Sequence, residues 1–334
     1  MKKGLSFLVI TVLTIQFLMP VPFSEAAVSL TAPSALLIEP WSQKIIYSRD
    51  PHRKKPPAST TKLVTALVVL DLIPLDQWVT VSSRVESVEA SKLFLHGGER
   101  LRARDLLKAL LMKSANDAAM ALAIEVSGTE SAFAELMTQK ARSLGAQNTR
   151  FANASGLPAK GQYSTAYDLA LMMREAVKND YLVSLLKLKS TTIGTAAGRR
   201  FYLKSHNKML WRRRGVIGKT GWTRNAKYCF VGLIEGTEGG AIVSVLGSRK
   251  LWIDLSHLVD RARGTESYLS FGSRGEEVKK IQLGLKKAGY FDETATGYFG
   301  KKTKQAVLEF QNARGLSADG IVGTQTKKAL APYL

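Results

Sequence analysis

Ser59 is followed three residues later by Lys62, within the run Pro56-Pro57-Ala58-Ser59-Thr60-Thr61-Lys62 that opens a long apolar stretch. Such a run marks the start of a helix, and an i,i+3 spacing sets the two side chains beside each other. A serine hydroxyl is a poor nucleophile until a base removes its proton. A lysine can be that base where burial or a nearby cation lowers its pKa. The pattern alone is weak, because Ser184/Lys187 and Ser205/Lys208 repeat it. Ser184 lies in a leucine-rich segment without a cap signal and Ser205 precedes strand-like sequence, so both are read as incidental. Ser114-Ala115-Asn116 adds a second hydroxyl and an amide, a spacing found again at Ser205-His206-Asn207. Lys219-Thr220-Gly221 occurs once, against ~0.1 occurrences expected from average residue usage.

The elements that must position these groups can be read in order. Residues 35–38 and 45–47 form a strand pair turning through residues 40–43. Apolar helical periodicity runs from 59 to about 181, broken by loops such as 153–161. Strand-like runs return at 228–234 and 241–246, with Lys219-Thr220-Gly221 just ahead of them, and a helix follows over 251–263. Strands at both ends of a domain with helices between give an α+β fold, a mainly antiparallel sheet packed by helices. Residues 265–272 read as a linker, and 273–334 as a separate unit of three short helices around Val278, Ile281, Leu285, Val307 and Phe310.

Composition narrows the chemistry. The 334 residues are 45% hydrophobic and 22% charged, as in an ordinary globular protein. The single Cys229 cannot form an intramolecular disulfide and reads as core packing. With His52, His96, His206 and His257 lacking ligand spacing, neither a metal nor an organic cofactor is expected. Lys and Arg number 48 against 27 Asp and Glu, a charge of +21 that favours polyanionic partners. Lys2 and Lys3 precede the apolar run 5–19, then Pro20, Pro22 and Ser24-Glu25-Ala26-Ala27, the layout of a secretory signal peptide over 1–26. That run falls short of the roughly 20 residues needed to span a bilayer. A protein carried across the inner membrane meets no nucleic acid, so its charge is expected to meet cell-envelope polymers in the periplasm or wall.

The order Ser59/Lys62, Ser114/Asn116, Lys219-Thr220-Gly221 resembles the active-serine set of penicillin-binding proteins and serine β-lactamases, with Ala115 where Asp is common. Flanking sequence, including Leu93-(x)4-Gly98-Glu99, residues 149–157 and residues 164–170, is similar to the low-molecular-mass D-alanyl-D-alanine carboxypeptidases over about 240 residues. The resemblance implies a catalytic domain at 27–264 in which Ser59 attacks the carbonyl between two D-alanines. Lys62 would be its base, Ser114 a proton relay, and Asn116 the holder of the donor amide. Lys219 and Thr220 would meet the terminal carboxylate, Gly221 would let substrate approach the strand, and the N–H groups of Ser59 and Trp222 would hold the oxyanion. Arg249 is a further candidate for carboxylate recognition.

Residues 273–334 resemble the small peptidoglycan-binding domain of cell-wall enzymes, through Ile281-Gln282, Gly297-Tyr298-Phe299-Gly300, Phe310-Gln311 and Asp319-Gly320-Ile321-Val322-Gly323, with Thr296 where Asp is usual. No β-sandwich stalk or amphipathic anchor follows 264, so no stable membrane anchor is expected. The implied partners are peptidoglycan stem peptides and glycan strands, with β-lactam antibiotics as covalent inhibitors. Cross-link endopeptidase or β-lactamase action at the same site, and a non-catalytic wall-binding protein, are the alternatives. No E-x-x-L-N segment supplies the deacylating glutamate of one large β-lactamase class.

Overall fold

Short turns join apolar runs at both ends of the larger domain, and the strands they connect pair antiparallel as expected. The structure is a computed structural model that describes residues 30–334 except 90, 213–214, 237–239, 264–268 and 317; the expected signal peptide at 1–26 lies outside these. The first strands are β1 (Ser34–Ile38) and β2 (Ile45–Arg49). A helical stretch follows with α1 (Lys62–Leu72), the small hairpin β3 (Trp78–Thr80) and β4 (Arg100–Arg102), then α2 (Ala103–Lys108), α3 (Asn116–Ser127), α4 (Glu130–Ser143), α5 (Ala166–Ala176) and α6 (Asp180–Lys187). A second small hairpin, β5 (Ser190–Gly194) and β6 (Arg200–Lys204), and the single turn α7 (Met209–Arg212) lead to β7 (Val216–Thr223), β8 (Lys227–Ile234), β9 (Ala241–Ser248) and α8 (Leu251–Ala262).

The main sheet has the order β2-β1-β9-β8-β7, with every pairing antiparallel. β1 and β9 are buried on both faces, and the two-residue period of a strand sorts side chains between two cores. Leu36, Ile38, Val231, Ile242 and Leu246 join the core built with the helices between β2 and β7; Ala35, Leu37, Phe230, Val243 and Val245 join the core under α8. The outcome is a helix–sheet–helix sandwich with β7 at the sheet's edge.

Two features differ from the sequence reading. Lys219-Thr220-Gly221 lies inside β7, paired in register with Val231-Phe230-Cys229, rather than ahead of the first returning strand. Gly215, Gly218 and Gly221 interrupt the apolar alternation that signals a strand, so β7 is hidden from that criterion. The small hairpins β3–β4 and β5–β6 are short and polar, and they too give no strong alternation.

The C-terminal unit has α9 (Glu276–Lys287), α10 (Lys301–Ala313) and α11 (Thr324–Leu330) around Val278, Ile281, Phe299, Val307 and Phe310. Its packing begins at Leu269, which pairs with Val322. Two buried glutamines tie its loops to its helices by the same device. Gln282 on α9 donates to the Tyr298 carbonyl and accepts from Gly297 N–H, both at 2.9 Å; Gln311 on α10 donates to the Ile321 carbonyl and accepts from Gly320 N–H, both at 2.9 Å. His257 on α8 reaches Asp319 across the two domains at 3.3 Å.

The loop at 153–157 braces the turn that carries Ser59. Gly156 has φ 81°, and a Cβ there would lie 1.9 Å from the Ala58 carbonyl oxygen. Relief would require backbone movement on one side or the other. Gly156→Ala is therefore expected to cost about 3 kcal/mol or more. In a thermal melt this reads as a Tm lower by on the order of 10 °C; an unchanged Tm would show that the loop is free to move.

Candidate active site

Ser59 lies in a tight turn at Ala58–Thr61 that runs directly into α1, with Ala58 in the left-handed region at φ 49°. The turn sets Ser59 at the head of the helix and directs Lys62 back under it. Lys62 is fully buried, and its Nζ lies 3.0 Å from Ser59 Oγ, 2.7 Å from Asn116 Oδ1 and 2.6 Å from the Ser155 carbonyl oxygen. Two of these partners can only accept, whereas the hydroxyl can also donate. A neutral amine satisfies all three: its two N–H bonds go to Asn116 and Ser155, and its lone pair takes the Ser59 proton. Burial, and then the charge of Lys219, hold the Lys62 pKa well below its ordinary value, with Glu130 and Asp117 opposing.

Ser114 and Asn116 come from a distorted helix junction. A single π-helical turn, Ala109–Lys113, ends α2, and Ser114 then takes a left-handed conformation at φ 61° before α3 begins. Such irregularities concentrate at functional sites because regular helix cannot aim a side chain sideways. Here the bend points the Ser114 hydroxyl at Lys219 Nζ, 3.0 Å away. Lys219 is buried on β7, also donates to the Thr220 carbonyl at 2.7 Å, and is brought by burial down to about 7. Period two along β7 places Gly221 on the same face as Lys219, and a Cβ at 221 would lie 2.8 Å from the Ser59 nitrogen. Only glycine lets the strand edge approach this turn so closely.

The Asn116 side chain is committed at both ends: Oδ1 accepts from Lys62, and Nδ2 donates to the Glu89 carbonyl at 2.9 Å. Ser91 is bound to the same junction through Asn116 N–H to its carbonyl at 2.7 Å and its Oγ to the Lys113 carbonyl at 3.0 Å. Buried Asp117 accepts from Leu93 N–H at 2.8 Å and Leu95 N–H at 3.2 Å.

Around these groups lies a cleft of about 750 Å³, whose lining includes Ser59, Ser114, Asn116, Thr220, Gly221 and Trp222. Seven of the eight side chains or backbone positions from Ser59 to Trp222 that sequence singles out either line it or, like Lys62, lie directly beneath; Lys219, the eighth, is bonded to Ser114 at its floor. Arg249 is exposed just beyond β9 and is not among the lining residues; Trp252, three residues on, is. The sequence reading did not single out the Ser155 carbonyl, Ser91, Leu157, Tyr228 or the 204–211 segment. A backbone carbonyl carries no residue-type signal, although the run 149–157 contains it. Ser205 and Lys208, dismissed as an incidental pair, stand at the cleft. Cys229 is core, with its thiol pushed up to about 12 by burial.

A model of the D-alanyl-D-alanine carboxypeptidase family matches residues 21–250. The chain belongs to that family. Among carboxypeptidase relatives, DacB2 of Mycobacterium tuberculosis is 34% identical over 241 residues, covering 70% of this chain and 82% of its own. DacF of Bacillus subtilis is 29% identical over 311 residues, covering 89% and 80%. Against DacC of Escherichia coli, 32% identical, the match covers 74% of this chain but only 62% of the relative. The Streptomyces K15 DD-transpeptidase structure is similar at TM-score 0.66 and 27% identity, over 71% of this chain and 99% of that one. A D-alanyl-D-alanine carboxypeptidase structure from M. tuberculosis gives TM-score 0.67 at 28% identity, over 72% and 94%. A peptidoglycan-binding domain model matches residues 274–330. The carboxypeptidase domain thus has the penicillin-binding-protein fold, with a small helical wall-binding domain appended.

Removing the Asp117 carboxylate leaves buried amides without an acceptor. Asp117→Ala is expected to cost about 3 kcal/mol and to speed amide exchange at Leu93 and Leu95 selectively, a pattern hydrogen-exchange mass spectrometry or NMR resolves.

Proposed function

We propose that the chain is an exported serine D-Ala-D-Ala carboxypeptidase that trims the terminal D-alanine from peptidoglycan stem peptides through a Ser59 acyl-enzyme. The observation that carries this reading is the buried Lys62 amine, held at 3.0 Å from Ser59 Oγ with acceptors for both its N–H bonds. The Ser59 proton passes to Lys62 as Oγ bonds to the carbonyl carbon of the penultimate D-alanine. The developing oxyanion lies between the N–H groups of Ser59 and Trp222. The C–N bond then breaks, and the departing amine takes a proton from the Lys62–Ser114 side of the cleft. Water deprotonated by Lys62 cleaves the ester, returning Ser59 and releasing the shortened peptide.

Lys219 and Thr220 receive the terminal carboxylate. Asn116 positions Lys62 and exchanges its Glu89 bond to hold the donor amide. A β-lactam offers a strained amide and a carboxylate at similar spacing, which makes it a covalent inhibitor of this arrangement. Export rests on the signal-peptide layout of residues 1–26, and the C-terminal domain keeps the enzyme on its polymer, raising the effective concentration of stem peptides. Among the described residues no helix is long and apolar enough to cross a membrane.

Two experiments test the reading. Benzylpenicillin should leave a long-lived adduct in the intact mass of the parent but not of Ser59→Ala, which should release no D-alanine yet still sediment with isolated walls; deletion of 273–334 should reverse that pair on a soluble pentapeptide. Full D-alanine release by Ser59→Ala would remove Ser59 from its role.

The pH dependence follows from two coupled amines. Activity requires Lys62 neutral, so kcat/KM rises as pH passes upward through its lowered pKa. It requires Lys219 charged to meet the carboxylate, so kcat/KM falls as pH rises past about 7. A bound carboxylate holds the proton on Lys219, so the alkaline limb of kcat should lie at higher pH than that of kcat/KM. Lys219→Arg should remove that limb near neutrality; coincident limbs in the parent would exclude Lys219 as the group responsible.

A further inference from the structure

Glu130, the first residue of α4, is half-buried and takes no part in the steps derived above. Among the described residues its carboxylate makes one hydrogen bond, Oε1 accepting from Ala154 N–H at 3.1 Å, and pairs with no lysine or arginine. An acid drawn partly out of water without a cation beside it is costly unless other interactions offset the loss. Its setting is firm. Thr129 caps α4 by accepting from Ala132 N–H at 3.2 Å, and a carboxylate in the first turn is favoured by the helix dipole.

The bond to Ala154 leads to the base. The Ala154 carbonyl accepts from Thr65 Oγ1 on α1 at 2.6 Å, and the next carbonyl, that of Ser155, accepts from Lys62 Nζ at 2.6 Å. Ala154 is therefore held at its N–H by α4 and at its carbonyl by α1. The peptide that follows it delivers an acceptor to the amine. Glu130 itself is not among the residues lining the cleft.

Charge reaches Lys62 from three elements. Lys219 on β7 lowers its pKa after burial has done so, and Glu130 on α4, followed by Asp117 on α3, raises it. His206, which also feels Lys62, is brought down to about 4 by partial enclosure and the neighbouring lysines, so it adds no charge near neutrality. Of the two acids, Asp117 also accepts from the N–H groups of Leu93, Leu95 and Ala118, so its loss disturbs the backbone widely. Glu130 has a single amide to satisfy. Enclosure raises its own pKa, while the Ala154 N–H and the Lys62 charge draw it back down. A base lowered too far accepts a proton poorly, and one lowered too little is already protonated.

We propose that Glu130 is a positioning residue for Lys62, holding Ala154 so that the Ser155 carbonyl meets the amine and supplying the negative charge that opposes Lys219. This role rests on the carboxypeptidase reading, in which Lys62 is the base. It divides the work between two partners of opposite sign: Lys219 makes the amine neutral, and Glu130 keeps it basic enough to take the Ser59 proton.

The test records kcat/KM for D-alanine release from a soluble pentapeptide against pH, for the full chain and for Glu130→Gln, Glu130→Asp and Glu130→Ala. Benzylpenicillin acylation checks that each variant has folded. Glutamine keeps an oxygen for Ala154 N–H and removes the charge. Lys62 and Glu130 titrate as a pair, so in Glu130→Gln the acid limb should move to lower pH by roughly half a pH unit or more. The alkaline limb, set by Lys219, should stay in place, and the plateau should fall several-fold because the base is weaker. Glu130→Asp should bring the acid limb back toward the parent's. Glu130→Ala should lose more of the plateau and speed amide exchange at Ala154, which Glu130→Gln should leave unchanged.

The Lys62 Cε resonance in NMR follows the same amine without turnover, and its midpoint should fall in Glu130→Gln. An acid limb and a Lys62 midpoint that both stay in place in Glu130→Gln would overturn the proposal, as would a rate lowered equally at every pH, the mark of a merely structural residue. Unchanged exchange at Ala154 in Glu130→Ala would overturn it as well. A parent that neither releases D-alanine nor is acylated by benzylpenicillin would fail at the carboxypeptidase reading itself, and the role of Glu130 in the reaction would fail with it even where the Lys62 midpoint moves.

Discussion

Two lysine side chains buried in one core are the constraint around which the larger domain is arranged. An ammonium ion taken out of water without compensation is so costly that the group loses its proton instead. Lys62 and Lys219 are both fully enclosed, and the charge of Lys219 further lowers the pKa of Lys62. The surrounding structure sets which amine is neutral and what each one touches. Lys62 has the Asn116 amide oxygen and the Ser155 carbonyl, which together leave its third position for the Ser59 hydroxyl. Lys219 has the Ser114 hydroxyl, which lines the cleft, and the Thr220 carbonyl.

Those acceptors come from separate parts of the chain, and this explains several local departures from regular structure. The π turn before Ser114 and its left-handed backbone send a hydroxyl toward β7 that a continuous helix would have directed elsewhere. The loop 153–157 is tied to itself by Asn153, whose Oδ1 accepts from Gly156 N–H at 2.7 Å and whose Nδ2 donates to the Leu157 carbonyl at 2.9 Å. Thr65 Oγ1 on α1 donates to the Ala154 carbonyl at 2.6 Å, so the loop and the helix that carries Lys62 move as one body. Rigidity of this kind matters because a base misplaced by an ångström no longer shares the hydroxyl proton.

The chemistry of the site was legible in sequence where it depends on residue type at fixed spacing. Ser59 and Lys62 meet because three residues make nearly one helical turn, and Lys219-Thr220-Gly221 stands out by rarity. What escaped was carried by backbone or by tertiary placement. The Ser155 carbonyl has no side-chain signature. β7 was hidden because the glycines that let it approach Ser59 are the residues that break strand alternation. Arg249 illustrates the converse: chain proximity to the last strand gave it a role, but the residues of that segment lining the cleft are Leu251 and Trp252. In the C-terminal domain the helices were read from apolar spacing alone, while Gln282 and Gln311, recorded only as parts of a resemblance, prove to be the buried amides that anchor its two glycine-bearing loops.

Charge is distributed along the chain by the same logic. In the proposed reading, a cleft that binds carboxylates while keeping one lysine neutral benefits from cations at its rim rather than beside the base. Coulombic repulsion at the rim is softened by water and salt, whereas at the floor it acts nearly undiminished. The fold separates the two. Lys219 acts on Lys62 from within the protein, where its charge lowers the pKa against Glu130 and Asp117, and Lys204 and Lys208 stand in solvent at the cleft. No acidic residue lies between Tyr181 and Ile234, so none in that stretch pairs with those rim cations. The basic surface and the neutral base are thus compatible because burial, and not distance alone, divides them.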